Sequence, residues 1–159
     1  MQRILKRIST YRKLNLGGSM THLCLNCYEI LEKAKHLRYI PYKNKVGGYY
    51  ICPKCQGEIV EIDDFILPTI ILLNQKGYKT LHCCSGHSNE NVSNCYIKFD
   101  ESIQLPSIPK GFRKSNNTIR KMFENPELSQ IVETAVDLLK WANNLPKGDV
   151  GYAINKEAI

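Results

Sequence analysis

The spacing of apolar residues changes several times along this chain, and each change marks an element. In 58–62 (EIVEI) polar and apolar residues alternate, which predicts a half-buried strand. From 65 to 76 (FILPTIILLNQK) nearly every position is apolar, which predicts a buried helix. Pro68 suits its first turn, Gly77 its C-terminal stop, and Asp63 or Asp64 its N-cap. Alternation returns at 78–83 (YKTLHC), with Tyr78, Thr80 and His82 on one face, and again at 95–99 (CYIKF). Farther on, Leu128, Ile131, Val132, Ala135, Leu138, Leu139 and Ala142 recur at helical spacing. They predict an amphipathic helix over 126–143, opened by Asn125-Pro126 and closed by Pro146 and Gly148.

Other segments carry weaker patterns. Residues 46–51 read as a turn and a strand, and 150–154 as a last short strand. Residues 28–38 (YEILEKAKHLR) and 117–124 (NTIRKMFE) have helical composition and are expected to be short helices. Between the second of these and the 95–99 strand, 104–116 is rich in Pro, Gly, Lys and Ser and reads as an irregular loop.

Cysteine placement adds chemistry to this pattern. Cys24-Leu-Asn-Cys27 and Cys52-Pro-Lys-Cys55 are two C-x-x-C pairs, each compact enough for both thiolates to reach one metal. Pro53 pre-sets the second turn, and Gly57 offers positive φ just after it. Four thiolates close a tetrahedral site, so a zinc held there is structural and has no open position for water. His22 and His36 lie near in sequence, but four cysteines already fill such a site. The motif resembles the zinc-ribbon family, which carries its knuckles on β-hairpins. The fold expectation is therefore α+β: a zinc ribbon over 20–62, then a small α/β domain over 63–159 with a mostly antiparallel sheet.

Composition sets outer limits. The chain has 159 residues, 43% hydrophobic and 23% charged, as an ordinary globular protein has. The longest apolar run, 65–73, is too short to span a membrane. Paired C-x-x-C motifs with no apolar leader point to a reducing, cytoplasmic setting. The net charge of +7 hints at nucleic acid, but Arg3, Lys6, Arg7, Arg12 and Lys13 supply five charges and leave +2 for residues 20–159. Residues 1–19 read as a mis-assigned start upstream of Met20 in a bacterial or phage gene. A disordered basic tail and an organelle transit peptide are the alternatives.

The segment His82-Cys-Cys-Ser-Gly-His87 is the second chemical feature. One reading is a second zinc site drawn from His82, Cys84, His87 and Cys95. Another is a ligand-binding or catalytic turn, with Ser85 and Gly86 presenting free N–H groups and His87 acting as acid, base or donor. The third is a structural turn with buried cysteines. The run from Asp64 through Leu73-Asn74 to Tyr78-Lys-Thr-Leu-His-Cys-Cys84-Ser-Gly86 resembles part of the wybutosine-synthesising tRNA methyltransferases. That resemblance implies an α/β body, a functional loop at Cys84, Ser85 and Gly86, and the use of S-adenosylmethionine. His87 stands where that family has Arg, and the spacing from Thr80 to the Cys-Ser-Gly turn is one residue longer.

Three functions compete on these grounds. The first is a zinc-binding module that recognises a nucleotide-like or nucleic-acid ligand through His82, Cys84, Ser85, Gly86 and His87. Arg113 and Lys114, with Lys110, Arg120 and Lys121, would meet its phosphates. Tyr49, Tyr50 and Tyr78 are candidates to stack on a base. The second is an RNA- or nucleotide-modifying enzyme. Against it, the chain has no Gly-rich cofactor fingerprint, no paired-carboxylate motif and no dedicated nucleophile motif, and no catalytic residue is assigned. The third is an adaptor whose ribbon contacts another protein.

Overall fold

The computed structural model describes residues 20–31, 37–41, 43 and 47–148, which form nine strands and two helices. The first compact unit runs to Asp64 and the second begins at Phe65. The fold class is α+β, with both sheets antiparallel throughout.

The first unit is a five-stranded sheet of β1 (Met20–Cys24), β2 (Ile30–Leu31), β3 (Arg38–Pro41), β4 (Gly48–Ile51) and β5 (Glu58–Asp63), in spatial order β2-β1-β5-β4-β3. The strand expected over 58–62 is found as β5, but its burial does not alternate: Ile59 and Ile62, both buried, lie on opposite faces, and Glu58 and Glu61 are exposed. The helix expected over 28–38 is not found at its described ends. Ile30 and Leu31 pair with Leu23 and His22, and Arg38 opens β3. The reason is the first C-x-x-C turn, which sends the chain straight back along β1, where backbone pairing overrides the helical composition. Its middle, including His36, lies outside the described residues, as do residues 1–19 and the strand expected over 150–154.

The second unit opens with α1 (Leu67–Gln75). Pro68 sits in the first turn, where its missing N–H costs nothing. The expected aspartate cap is absent: Ile66 is the N-cap, Asp63 ends β5, and Asp64 accepts a hydrogen bond from Thr21 Oγ1. Gly77, at φ 92°, ends the helix, with Tyr78 N–H bonded to Leu73 O at 2.9 Å and Gly77 N–H to Asn74 O at 3.0 Å. That pair of bonds is a Schellman closure, which needs a left-handed residue at this position.

A four-stranded sheet follows, made of β6 (Thr80–Cys84), β7 (Val92–Phe99), β8 (Arg113–Ser115) and β9 (Thr118–Glu124) in order β6-β7-β9-β8. Two expectations fail here. The helix over 117–124 is strand β9, and the loop over 104–116 contains β8. Ile119 and Phe123 are buried, Lys121 between them is half-buried, and Arg120, Met122 and Glu124 are exposed. That alternation of two outweighs the helix-forming Arg, Lys and Met. Asn116 takes φ 50°, which lets a two-residue turn join Ser115 to its partner Thr118.

Helix α2 (Leu128–Asn144) begins with a reciprocal capping box between Glu127 and Gln130. Its buried residues are Ile131, Thr134, Ala135, Leu138 and Ala142, so Thr134 joins the expected stripe and Val132, 39% exposed, leaves it. The helix lies over one face of the sheet: Lys121 Nζ donates to Thr134 Oγ1 at 2.9 Å. Lys76 Nζ joins the helix ends by donating to the carbonyls of Asn143 and Leu145. A cation on helix C-terminal carbonyls is favourable. Gly77→Ala should destabilise the second unit by about 1–2 kcal/mol, the usual cost of a left-handed non-glycine residue. Urea denaturation monitored by Trp141 fluorescence measures it, and an unchanged midpoint would contradict the closure described.

Candidate metal centre and the 82–87 turn

Both C-x-x-C pairs fold the same way. In the first, Tyr28 N–H bonds to Cys24 O at 2.9 Å and Cys24 N–H to Glu29 O at 3.0 Å. In the second, Gln56 N–H bonds to Cys52 O at 2.9 Å and Cys52 N–H to Gly57 O at 2.8 Å. Tyr28 and Gln56 hold corresponding positions at φ 58° and 62°. The positive φ is thus at Gln56, one residue before the glycine expected to supply it.

Gly57 is required for another reason. A Cβ there would lie 2.8 Å from Asn26 Cβ, 3.2 Å from Cys24 Sγ and 3.3 Å from Cys55 Sγ. The absent side chain makes room for the sulfurs.

The four ligand sulfurs of Cys24, Cys27, Cys52 and Cys55 lie within 4.8 Å of one another. Cys24 Sγ is 3.4 Å from Cys55 Sγ, and Cys27 Sγ is 3.7 Å from Cys52 Sγ. A tetrahedron with Zn–S bonds of about 2.3 Å has sulfurs about 3.8 Å apart, so the cluster matches one zinc ion in a closed, structural site. The thiols differ in their electrostatic surroundings. Burial pushes the Cys24 thiol up to about 12 and raises that of Cys27. A hydrogen bond with the Asn26 side chain brings Cys55 down to about 6. A dication stabilises the thiolate at every position and displaces the remaining protons. The sulfurs are also the core: Cys24, Cys52 and Ile59 are buried together, with Leu31, Leu37 and Tyr50 packed around them. His22 stays outside the cluster, 3.1 Å from Glu61 Oε1.

In the second unit the two faces of the sheet divide the other candidates. Thr80 pairs with Phe99 and His82 with Lys98, so a bulge at Leu81 separates Thr80 from His82. The common face expected for those two is lost. Beyond the bulge, His82 and Cys84 lie on the face away from α2, with Cys84 opposite Tyr96. Cys95 is fully buried on the helix side, with Lys121 opposite. Cys84 and Cys95 therefore do not share a metal site. Among the described residues the only cluster able to hold a metal is the four-cysteine one.

The 82–87 turn is tightly made. Asn74 fixes its strand by donating to Thr80 Oγ1 at 2.7 Å and accepting from Thr80 N–H at 3.2 Å. Ser85 is buried, and Gly86 takes φ 92° with its missing Cβ only 3.2 Å from the Phe123 ring. His87 N–H donates to Ser93 Oγ at 2.7 Å, and His87 Nε2 lies 3.4 Å from Cys84 Sγ.

The basic residues separate as well. Arg113 stands opposite Arg120 on the face away from α2, while Lys114 stands beside Ile119 on the other. Lys121 is engaged with Thr134 and lies 5.3 Å from the centroid of the Phe123 ring. Lys110 is exposed outside the strands. Of the tyrosines, Tyr78 is buried with its hydroxyl on Pro146 O, and Tyr50 packs edge-on against Tyr39. Sequence reasoning missed Tyr96 and Lys98, which share the open face with Arg120. Their alternation with the buried Cys95, Ile97 and Phe99 was the available signal.

Cys52→Ser should release the zinc and expose residues 20–62 to limited proteolysis, read by mass spectrometry. Gly57→Ala should weaken zinc binding about tenfold or more, the usual range for residues that shape a metal site. Retention of one zinc per chain by Cys52→Ser would refute the site. Comparison with models of protein families, with curated proteins and with solved structures finds no match for this chain, so the likeness of 64–86 to the methyltransferases gains no support from them.

Proposed function

We propose that this chain is a zinc-stabilised binding module that takes a phosphate-bearing ligand, single-stranded nucleic acid foremost, on the open face of its four-stranded sheet. Zinc binding is supported by the four-cysteine cluster. The ligand reading is carried by one observation, the stacking of positive side chains in two neighbouring cross-strand rows. The first row is Cys84, Tyr96, Arg120 and Arg113, and the second is His82, Lys98, Thr118 and Ser115.

Two arginines directly opposite each other repel, which costs stability unless an anion lies between them. Neither row contains a carboxylate. An open groove of about 430 Å³ lies over the β8–β9 end of these rows, lined by Lys98, Arg113, Arg120 and Met122, with Glu101 as its one acid. Arg120 lies 5.8 Å from the centroid of the Tyr96 ring, so charge and an aromatic surface stand together. Phosphate contacts from Lys98, Arg113 and Arg120 with a base against Tyr96 would use both. The 82–87 turn borders this surface through His82 and Cys84. Among the described residues no helix is long and apolar enough to cross a membrane. None of the seven cysteines is in a disulfide.

Fluorescence anisotropy with a labelled single-stranded RNA of about ten nucleotides tests this. With three cations engaged, log K should fall against log salt with a slope of about −2. Arg113→Ala with Arg120→Ala should weaken binding about tenfold or more and flatten the slope. Lys114→Ala, on the other face, should change little. A flat salt dependence, or equal loss from Lys114→Ala, would overturn the reading.

A further inference from the structure

We propose that Cys84 and His87 form a nucleophilic pair at the end of β6, acting on an electrophilic carbon of a small anionic ligand. This goes beyond ligand binding and stands whether or not the open face takes nucleic acid.

Geometry is the first support. Cys84 Sγ lies 3.4 Å from His87 Nε2 and accepts the Gly86 N–H at 3.4 Å. Both partners favour a thiolate. The turn that brings them together is not a generic one. It requires glycine at 86, where φ is 92° and the Phe123 ring leaves no room, and it is anchored by His87 N–H on Ser93 Oγ. A residue spacing of three alone would not orient the imidazole on the sulfur.

The surroundings are the second support. Reactive thiols occupy electropositive, partly exposed sites. Cys84 is half-buried on the open face. On that face the titratable and charged groups nearest Cys84 are His82 on its own strand and Tyr96 and Lys98 on β7; Arg120 on β9 and Arg113 on β8 lie two and three strands away, and Glu124 on β9 is an acid of the same face. Farther along, Asn94 Oδ1 on the same face is buried and has no hydrogen-bond partner. By contrast Cys83 stands opposite Ile97 on the helix side, and Cys95 is fully buried.

The step balances within these groups. The Cys84 thiol proton passes to His87 Nε2. A bond forms between Sγ and the carbon as that carbon's bond to its leaving group breaks. His87 then returns the proton to the leaving group. No oxidant or reductant is needed.

The test uses the full zinc-loaded chain, iodoacetate as an anionic probe and iodoacetamide as a neutral one, with peptide mapping by mass spectrometry. At pH 7 Cys84 should be alkylated about tenfold or more faster than Cys83, and His87→Ala should remove most of that advantage. Arg120→Ala should lower the iodoacetate rate at Cys84 more than the iodoacetamide rate. Equal rates at Cys84 and Cys83, or a Cys84 rate that ignores His87, would overturn the proposal. If His87→Ala fails to fold, the pH–rate profile of the unaltered chain decides. A half-maximal rate well below the roughly 8.5 of a free thiol supports the pair, and one at or above it refutes the pair.

Discussion

The first unit depends on bringing four sulfurs to one point. Two of the three residues at the centre of its metal-side core are cysteines. Units of this size are marginal on apolar burial alone. A zinc ion supplies the missing free energy, of the order of 10–16 kcal/mol in isolated zinc-finger peptides. The other local features serve that closure. Tyr28 and Gln56 accept left-handed backbone, and Gly57 gives up a side chain so that Cys24 and Cys55 can approach. The metal has no vacant position, so its role ends at holding the ribbon.

The second unit is built on a different principle. Helix α2 closes one face of the four-stranded sheet, with Thr134 receiving the Lys121 ammonium there. The other face keeps His82, Lys98, Arg113 and Arg120 exposed. An antiparallel sheet can leave one face to solvent, and this one carries the exposed Glu124 as well as the cations. Here positive charge accumulates in two rows. Anchoring by Asn74 on Thr80 and by Gly86 against Phe123 sets the end of β6 where those rows begin. The Cys84–His87 pair lies at the β6 edge of the sheet and Arg113 at the β8 edge.

The metal centre was almost wholly legible in the sequence, because two C-x-x-C turns constrain local geometry regardless of what surrounds them. Helices α1 and α2 were legible for a similar reason: a long apolar or periodic run, a proline and a glycine stop define each one locally. Strand β9 was misread because Arg120, Lys121 and Met122 favour helix, whereas its pairing with β7 lies about 25 residues away in sequence and leaves no local mark. The Leu81 bulge had the same effect on His82. The basic residues were seen as one stretch, 110–121, but a strand sends neighbours to opposite faces. Only pairing shows that Arg113 and Arg120 share the open face while Lys114 and Lys121 belong to the other.

The most direct measurement of the central claim is zinc K-edge X-ray absorption on the purified full-length chain. The account predicts one zinc per chain with four sulfur neighbours at about 2.3 Å and no nitrogen or oxygen in its shell. A histidine or water ligand, or a chain that folds fully without zinc, would contradict it.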